Sequence, residues 1–172
     1  MRSLLLIPAL VALLAVPALA QQRGATPAQQ GPRRLGDFQD WTAAVHTEGG
    51  QKVCYAFTRA SRTDPQRDGV ILTVTHRANG RDQVALSAGY TYPRNAAVTV
   101  TVGQTQLPFY TGGNSAFARD GRAAVAAFRA GANAVARGPR TGGRGNATDT
   151  FSLTGFTAAY EAISQECPAP RR

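Results

Sequence analysis

Few side chains of this sequence can do covalent, metal or acid–base chemistry: Cys54 and Cys167, His46 and His76, and ten thinly spread acids. The patterns that announce an enzyme are missing. There is no G-x-S-x-G nucleophile elbow, no H-E-x-x-H, no G-x-x-x-x-G-K-[ST] phosphate loop and no C-x-x-C. A tetrahedral metal site needs more ligands at recognisable spacing than two distant cysteines and two histidines supply, so no cofactor or metal is expected. A redox pair is normally close in sequence. In an exported chain an isolated, distant pair predicts a structural disulfide. Closing so long a loop contributes roughly 4–5 kcal/mol on the chain-entropy view.

His76 follows the Val70, Leu72, Val74 face of a strand-like run and could line the end of a pocket. Such a histidine more commonly caps a strand at the edge of the core. Asp149 precedes Phe151 and Leu153 and is expected to bond the neighbouring Gly-rich loop or an arginine. Trp41, Tyr55, Tyr90, Tyr92, Phe109 and Tyr110 lie at strand spacing, where packing is commoner than a ligand platform. Arg137, Arg140 and Arg144 cluster among glycines and form a candidate anion-binding loop for phosphate or sulfate.

Charge points the same way. The chain carries +9, nearly all from arginine because Lys52 is its only lysine; loss of Arg2 with the leader leaves +8. That balance favours anionic surfaces such as lipid or lipopolysaccharide. The arginines are scattered, not blocked, which favours a solvated basic surface over any such partner and marks no specific nucleic-acid site.

These residues need elements to place them. Met1-Arg2-Ser3, the uncharged run Leu4 to Leu19 and the small residues Ala18 and Ala20 form a secretory signal with cleavage after Ala20. The run is too short and too Pro-interrupted to span a bilayer, and no later run could. The address is therefore periplasmic or secreted, with no transmembrane segment after cleavage. Residues 21–35 read as a disordered spacer, 36–167 as one folded domain and 168–172 as a tail.

Within the domain, Asp40 to His46 and Lys52 to Arg59 flank a hairpin signal at Thr47–Gln51. Val70 to Thr75, Gln83 to Ala88, Val98 to Val102 and Gln104 to Tyr110 continue the strand period. Arg119 to Gly131 reads as a helix with Asp120 as N-cap. Asn133 to Arg137 and Ala147 to Leu153 are strands around the loop Gly138 to Asn146. Thr154 to Ser164 carries Phe156, Ala159, Tyr160 and Ile163 on one helical face. The expected fold is mainly β: an antiparallel β-sandwich or partly closed barrel with two short helices, the second at the C-terminus.

The order and wording of four stretches carry a resemblance. They are Gly36-Asp37-Phe38-Gln39-Asp40-Trp41 with Lys52-Val53-Cys54-Tyr55; Val74-Thr75-His76-Arg77 with Ala88-Gly89-Tyr90-Thr91-Tyr92; Asn114 to Asp120; and Thr148 to Ala159, ending at Cys167-Pro168. The chain resembles the invasion-associated locus B family of exported bacterial proteins. Phe117 stands where the family usually has tryptophan, and Thr141 to Gly145 replaces a loop that usually contains Ser-x-Arg-Gly-Thr. The resemblance implies a secreted or periplasmic β-rich protein without known catalysis. The expected role is non-enzymatic binding to an envelope protein or an anionic surface. Alternatives are an accessory domain of an envelope assembly and, less favoured, a small envelope hydrolase near His76. The oligomeric state is not legible.

Overall fold

The computed structural model describes residues 31–143 and 145–170. The leader with its cleavage position at Ala20, most of the spacer, Arg144 and the last two residues lie outside the described part.

Alternating apolar residues build eleven strands: β1 (Arg33–Phe38), β2 (Trp41–Glu48), β3 (Gln51–Arg59), β4 (Arg62–Asp64), β5 (Ile71–Arg77), β6 (Gly80–Ser87), β7 (Ala97–Val102), β8 (Thr105–Gly112), β9 (Ser115–Ala118), β10 (Asn133–Pro139) and β11 (Asn146–Ser152). Two helices interrupt them, α1 (Gly121–Ala130) and α2 (Phe156–Glu166). All strands belong to one antiparallel sheet in the order β1-β2-β3-β5-β6-β9-β8-β7-β10-β11-β4. No ladder joins β1 to β4 among the described residues, so the sheet is not closed.

It nevertheless curls back on itself where β3 passes into β4. Ala60 N–H donates to Val70 O at 3.0 Å, on the β5 side, and Ser61 N–H donates to Thr150 O at 2.8 Å, on the β11 side. Trp41 Nε1–H reaches Ser152 O at 2.9 Å across the same gap. Of the two expected arrangements, this is the partly closed barrel.

Turn chemistry sets the registers. Gly49 and Gly50 have φ of 57° and 78°, the paired positive values of a two-residue type I′ turn. That lets β2 and β3 pair to Glu48↔Gln51. Three strands differ from the sequence expectation. β1 begins at Arg33, inside the expected spacer, because its backbone pairs with β2 from Arg33↔Val45 and Leu35 packs on the core. β4 and β9, of three and four residues, are too short to show a period of two.

Each helix lays one face on the core. Asp120 accepts from Ala123 N–H at 3.0 Å and caps α1, which buries Ala124, Val125 and Phe128. α2 buries Phe156, Ala159 and Ile163 against β1, β2 and β3. Phe156 meets Trp41 edge-on at 4.8 Å and Phe128 at 5.5 Å. Gly155, which starts α2, has φ of 88°, and a Cβ there would lie 1.9 Å from Phe38 O. Both facts require glycine.

Candidate functional site

The chemistry-bearing residues gather in two buried polar clusters. The first lies under α2. Alternation along β5 turns His76 inward, where it is fully buried opposite Cys54 in the β3–β5 ladder. Cys54 is bonded to Cys167, with Cα atoms 6.0 Å apart, so the disulfide pins the end of α2 over this position. His76 Nδ1 accepts from Asp82 N–H at 3.3 Å, and Nε2 lies 3.0 Å from Ser164 Oγ. The Asp82 carboxylate is 3.8 Å from Nδ1.

A Ser–His–Asp constellation is thus present in outline. Its hydrogen bonding differs from that of a Ser–His–Asp triad. Since Nδ1 accepts a backbone proton, the ring hydrogen sits on Nε2 and is donated to Ser164, whereas a general base must accept from the serine. Burial, reinforced by the Arg81 guanidinium, lowers the His76 pKa from 6.5 to about 4, so the ring is neutral. The remaining groups are matched in a chain. Arg81 donates to Cys167 O and, at 3.3 Å, to Ser164 Oγ, while Tyr160 O–H donates to Asp82 at 2.8 Å. The Tyr160 ring stands edge-on to His76 at 5.2 Å.

The second cluster closes the opposite end of the barrel. Asp149 on β11 points inward and pairs with Arg67 at 2.5 Å, with side chains only 4% and 12% exposed. Arg67 also donates to Ala88 O at 3.0 Å and Pro65 O at 2.7 Å, and lies 5.2 Å over the Tyr90 ring. Tyr90 meets Tyr92 at 4.9 Å, and its hydroxyl donates to Pro139 O at 3.2 Å. Burial raises the Asp149 pKa, and Arg67 opposes that shift without cancelling it. Burial likewise raises both tyrosines.

The arginine loop is divided by this geometry. Arg137 projects outward from β10 into a groove with Thr99, Thr101 and Asn133. Arg140 lies past the strand end, where its charge acts on Tyr90, and its N–H donates to Gly145 O at 2.9 Å. Thr141 fastens the loop by donating to Thr91 O. Arg144 lies outside the described residues. His46 sits on the outer face against Tyr55, at 5.5 Å.

The aromatic set divides too. Trp41 and Phe109 are core residues, and Tyr90 and Tyr92 serve the Asp149 cluster. Tyr110 is 47% exposed beside Phe117, with Arg119 5.7 Å over its ring. Arg67 and Arg81 were not singled out in the sequence, and Tyr160 and Ser164 entered it only as helix residues. Their partners lie up to 88 residues away, and no local pattern marks such pairs.

The stretch Thr148 to Ala159 is built for the fold. Asp149 holds Arg67, Ser152 O receives Trp41, Gly155 makes the turn and Phe156 packs on Trp41. No curated protein matches the chain. Its fold is similar to that of invasion associated protein B from Bartonella henselae, with a TM-score of 0.56, 21% identity, and coverage of 76% of this chain and 95% of that one. The family model described as invasion associated locus B (IalB) protein matches residues 41–164. This chain therefore belongs to the invasion associated locus B family.

Proposed function

We propose that the protein is exported to the periplasm or beyond and acts there by binding an anionic surface, without catalysing a reaction. The observation that carries this reading is a set of arginines with no carboxylate beside them, on a chain of net charge +9. Asp37, Glu48, Asp149, Glu161 and Glu166 are engaged in ion pairs. Among the described residues Arg59, Arg62, Arg94, Arg122 and Arg137 have no carboxylate within ion-pair distance. Guanidinium groups held in this way attract phosphate-bearing surfaces. The buried, neutral His76 and its reversed hydrogen bond support a binding role over a hydrolytic one. Among the described residues no helix is long and apolar enough to cross a membrane. The names carried by the family and by the Bartonella protein extend the proposal to a surface met during host-cell invasion.

The test is flotation of the mature chain with phosphatidylglycerol vesicles, phosphatidylcholine vesicles and lipopolysaccharide. Retention on the anionic surfaces, weakened by salt and by Arg137→Ala/Arg140→Ala/Arg144→Ala, is expected. No retention at low salt overturns the reading. So does turnover of an ester, glycan or peptide substrate that is lost in a folded His76→Ala variant.

A further inference from the structure

We propose that a cleft beside the disulfide binds a small amphipathic anion, a carboxylate or phosphate carrying a short apolar group. The cleft has a volume of about 440 Å³ and lies between the turns β2–β3 and β5–β6 and the tail Cys167–Pro170. That volume falls in the range of small-ligand sites. Lys52, Arg77 and Arg81 face it against one carboxylate, Glu166.

The charges in it are not evenly matched. Glu166 Oε1 is shared by Lys52 at 2.7 Å and Arg33 at 3.1 Å, so one carboxylate serves two cations. Arg77 Nη1 is paired with Glu48 Oε2 at 3.4 Å, and Glu48 does not line the cleft. An anionic oxygen placed among Lys52, Arg77 and Arg81 would gain charge-assisted bonds.

The wall opposite is apolar. Ala78 and the tail Pro168, Ala169 and Pro170 line it, and the prolines have no N–H to offer a polar ligand. This combination selects an anion with an apolar end over a bare anion or a neutral amphiphile. The tail is held in place by the bond from Cys167 to Cys54 and by Arg81, which donates to Cys167 O. The site is therefore assembled only in the oxidised protein. It is distinct from the unpaired outer arginines and does not depend on them.

Calorimetric titration of the oxidised mature chain with n-octyl phosphate, below its micelle concentration, tests the site. Inorganic phosphate and octyl glucoside serve as controls. Octyl phosphate is expected to bind at least about tenfold more tightly than either control. Arg77→Ala should weaken it about tenfold, and Arg119→Ala, beside Tyr110 and away from the cleft, should not change it. A chain ending at Cys167, which keeps the disulfide, should lose most of the preference for octyl phosphate over inorganic phosphate. Equal affinity for octyl glucoside, equal affinity for inorganic phosphate, or an unchanged Arg77→Ala variant would each overturn the proposal.

Discussion

Both ends of the barrel bury a polar cluster, but they do so by opposite means. At one end Asp149 and Arg67 bury a full ion pair. At the other, His76 is kept neutral and bonds through Asp82 N–H and Ser164, while the nearby ions stay nearer the surface. The difference follows from what each end must join. Arg67 sits on the segment after β4, the edge strand of an open sheet, and ties Asp149 on β11 to Ala88 just after β6. A guanidinium reaches three acceptors there that no ladder brings together. The His76 end needs no such reach, because the disulfide already fixes α2 to β3.

The sharpest way to break the comparison is to remove the covalent pin. Cys54→Ser with Cys167→Ser frees a loop with a sequence separation of 113 and should cost about 4–5 kcal/mol on the chain-entropy view. Denaturant unfolding with and without reductant measures it. A loss below about 1 kcal/mol would mean that the hydrogen bonds under α2 hold the helix alone.

At the opposite end, Asp149→Ala should destabilise by about 3–5 kcal/mol, because Arg67 then stays buried without its counter-charge. Asp149→Asn keeps an acceptor and should cost less. The same unfolding assay reads both. If Asp149→Asn proves neutral, the carbonyls of Pro65 and Ala88 suffice for Arg67, and the ion pair is not what closes the barrel.

How much of this was legible in sequence depends on distance. The alternation of β5 placed His76 on the inner face, and the apolar face of α2 showed which side it would bury. The cysteine pair and the structural role of Asp149 were legible from residue type and spacing. Arg67 and Arg81 were not, since an arginine carries no period and their partners lie 82 to 86 residues away. Grouping Arg137 with Arg140 followed their closeness in sequence. The strand turns Arg137 outward, and its end carries Arg140 towards Tyr90.

Acidity separates the two ends by sign. The folded pKa of His76 lies below its unfolded value, so the stability it contributes is full above about 6.5 and is lost as pH falls through about 4. The loss amounts to at most about 3 kcal/mol. Asp149 is shifted the other way: its contribution is full below the ordinary aspartate pKa and is lost as pH rises through its raised folded value. From pH 7 to pH 3.5 the two contributions oppose each other, and a folded His76→Gln variant should lose the declining part, so that its stability falls less than that of the unaltered chain. An equally steep decline in that variant would move the acid sensitivity away from His76.

The smallest effects sharpen the comparison most, because they remove one hydroxyl from each end. Tyr90→Phe loses a bond to the neutral carbonyl of Pro139, 3.2 Å long, and should cost about 0.5–1.5 kcal/mol. Tyr160→Phe loses a 2.8 Å bond to the Asp82 carboxylate. Bonds to charged groups contribute more, about 1.5–3 kcal/mol, so Tyr160→Phe should be the costlier change. It also removes the nearest O–H from a carboxylate 3.8 Å from His76 Nδ1, leaving that charge freer to attract a proton to the ring. Tyr160→Phe should therefore raise the His76 pKa above about 4, readable as a shift of the ring resonances in a pH titration, while Tyr90→Phe leaves it in place. If both variants cost the same and neither moves His76, the Asp82 carboxylate is already satisfied by solvent, and the histidine is kept neutral by burial alone.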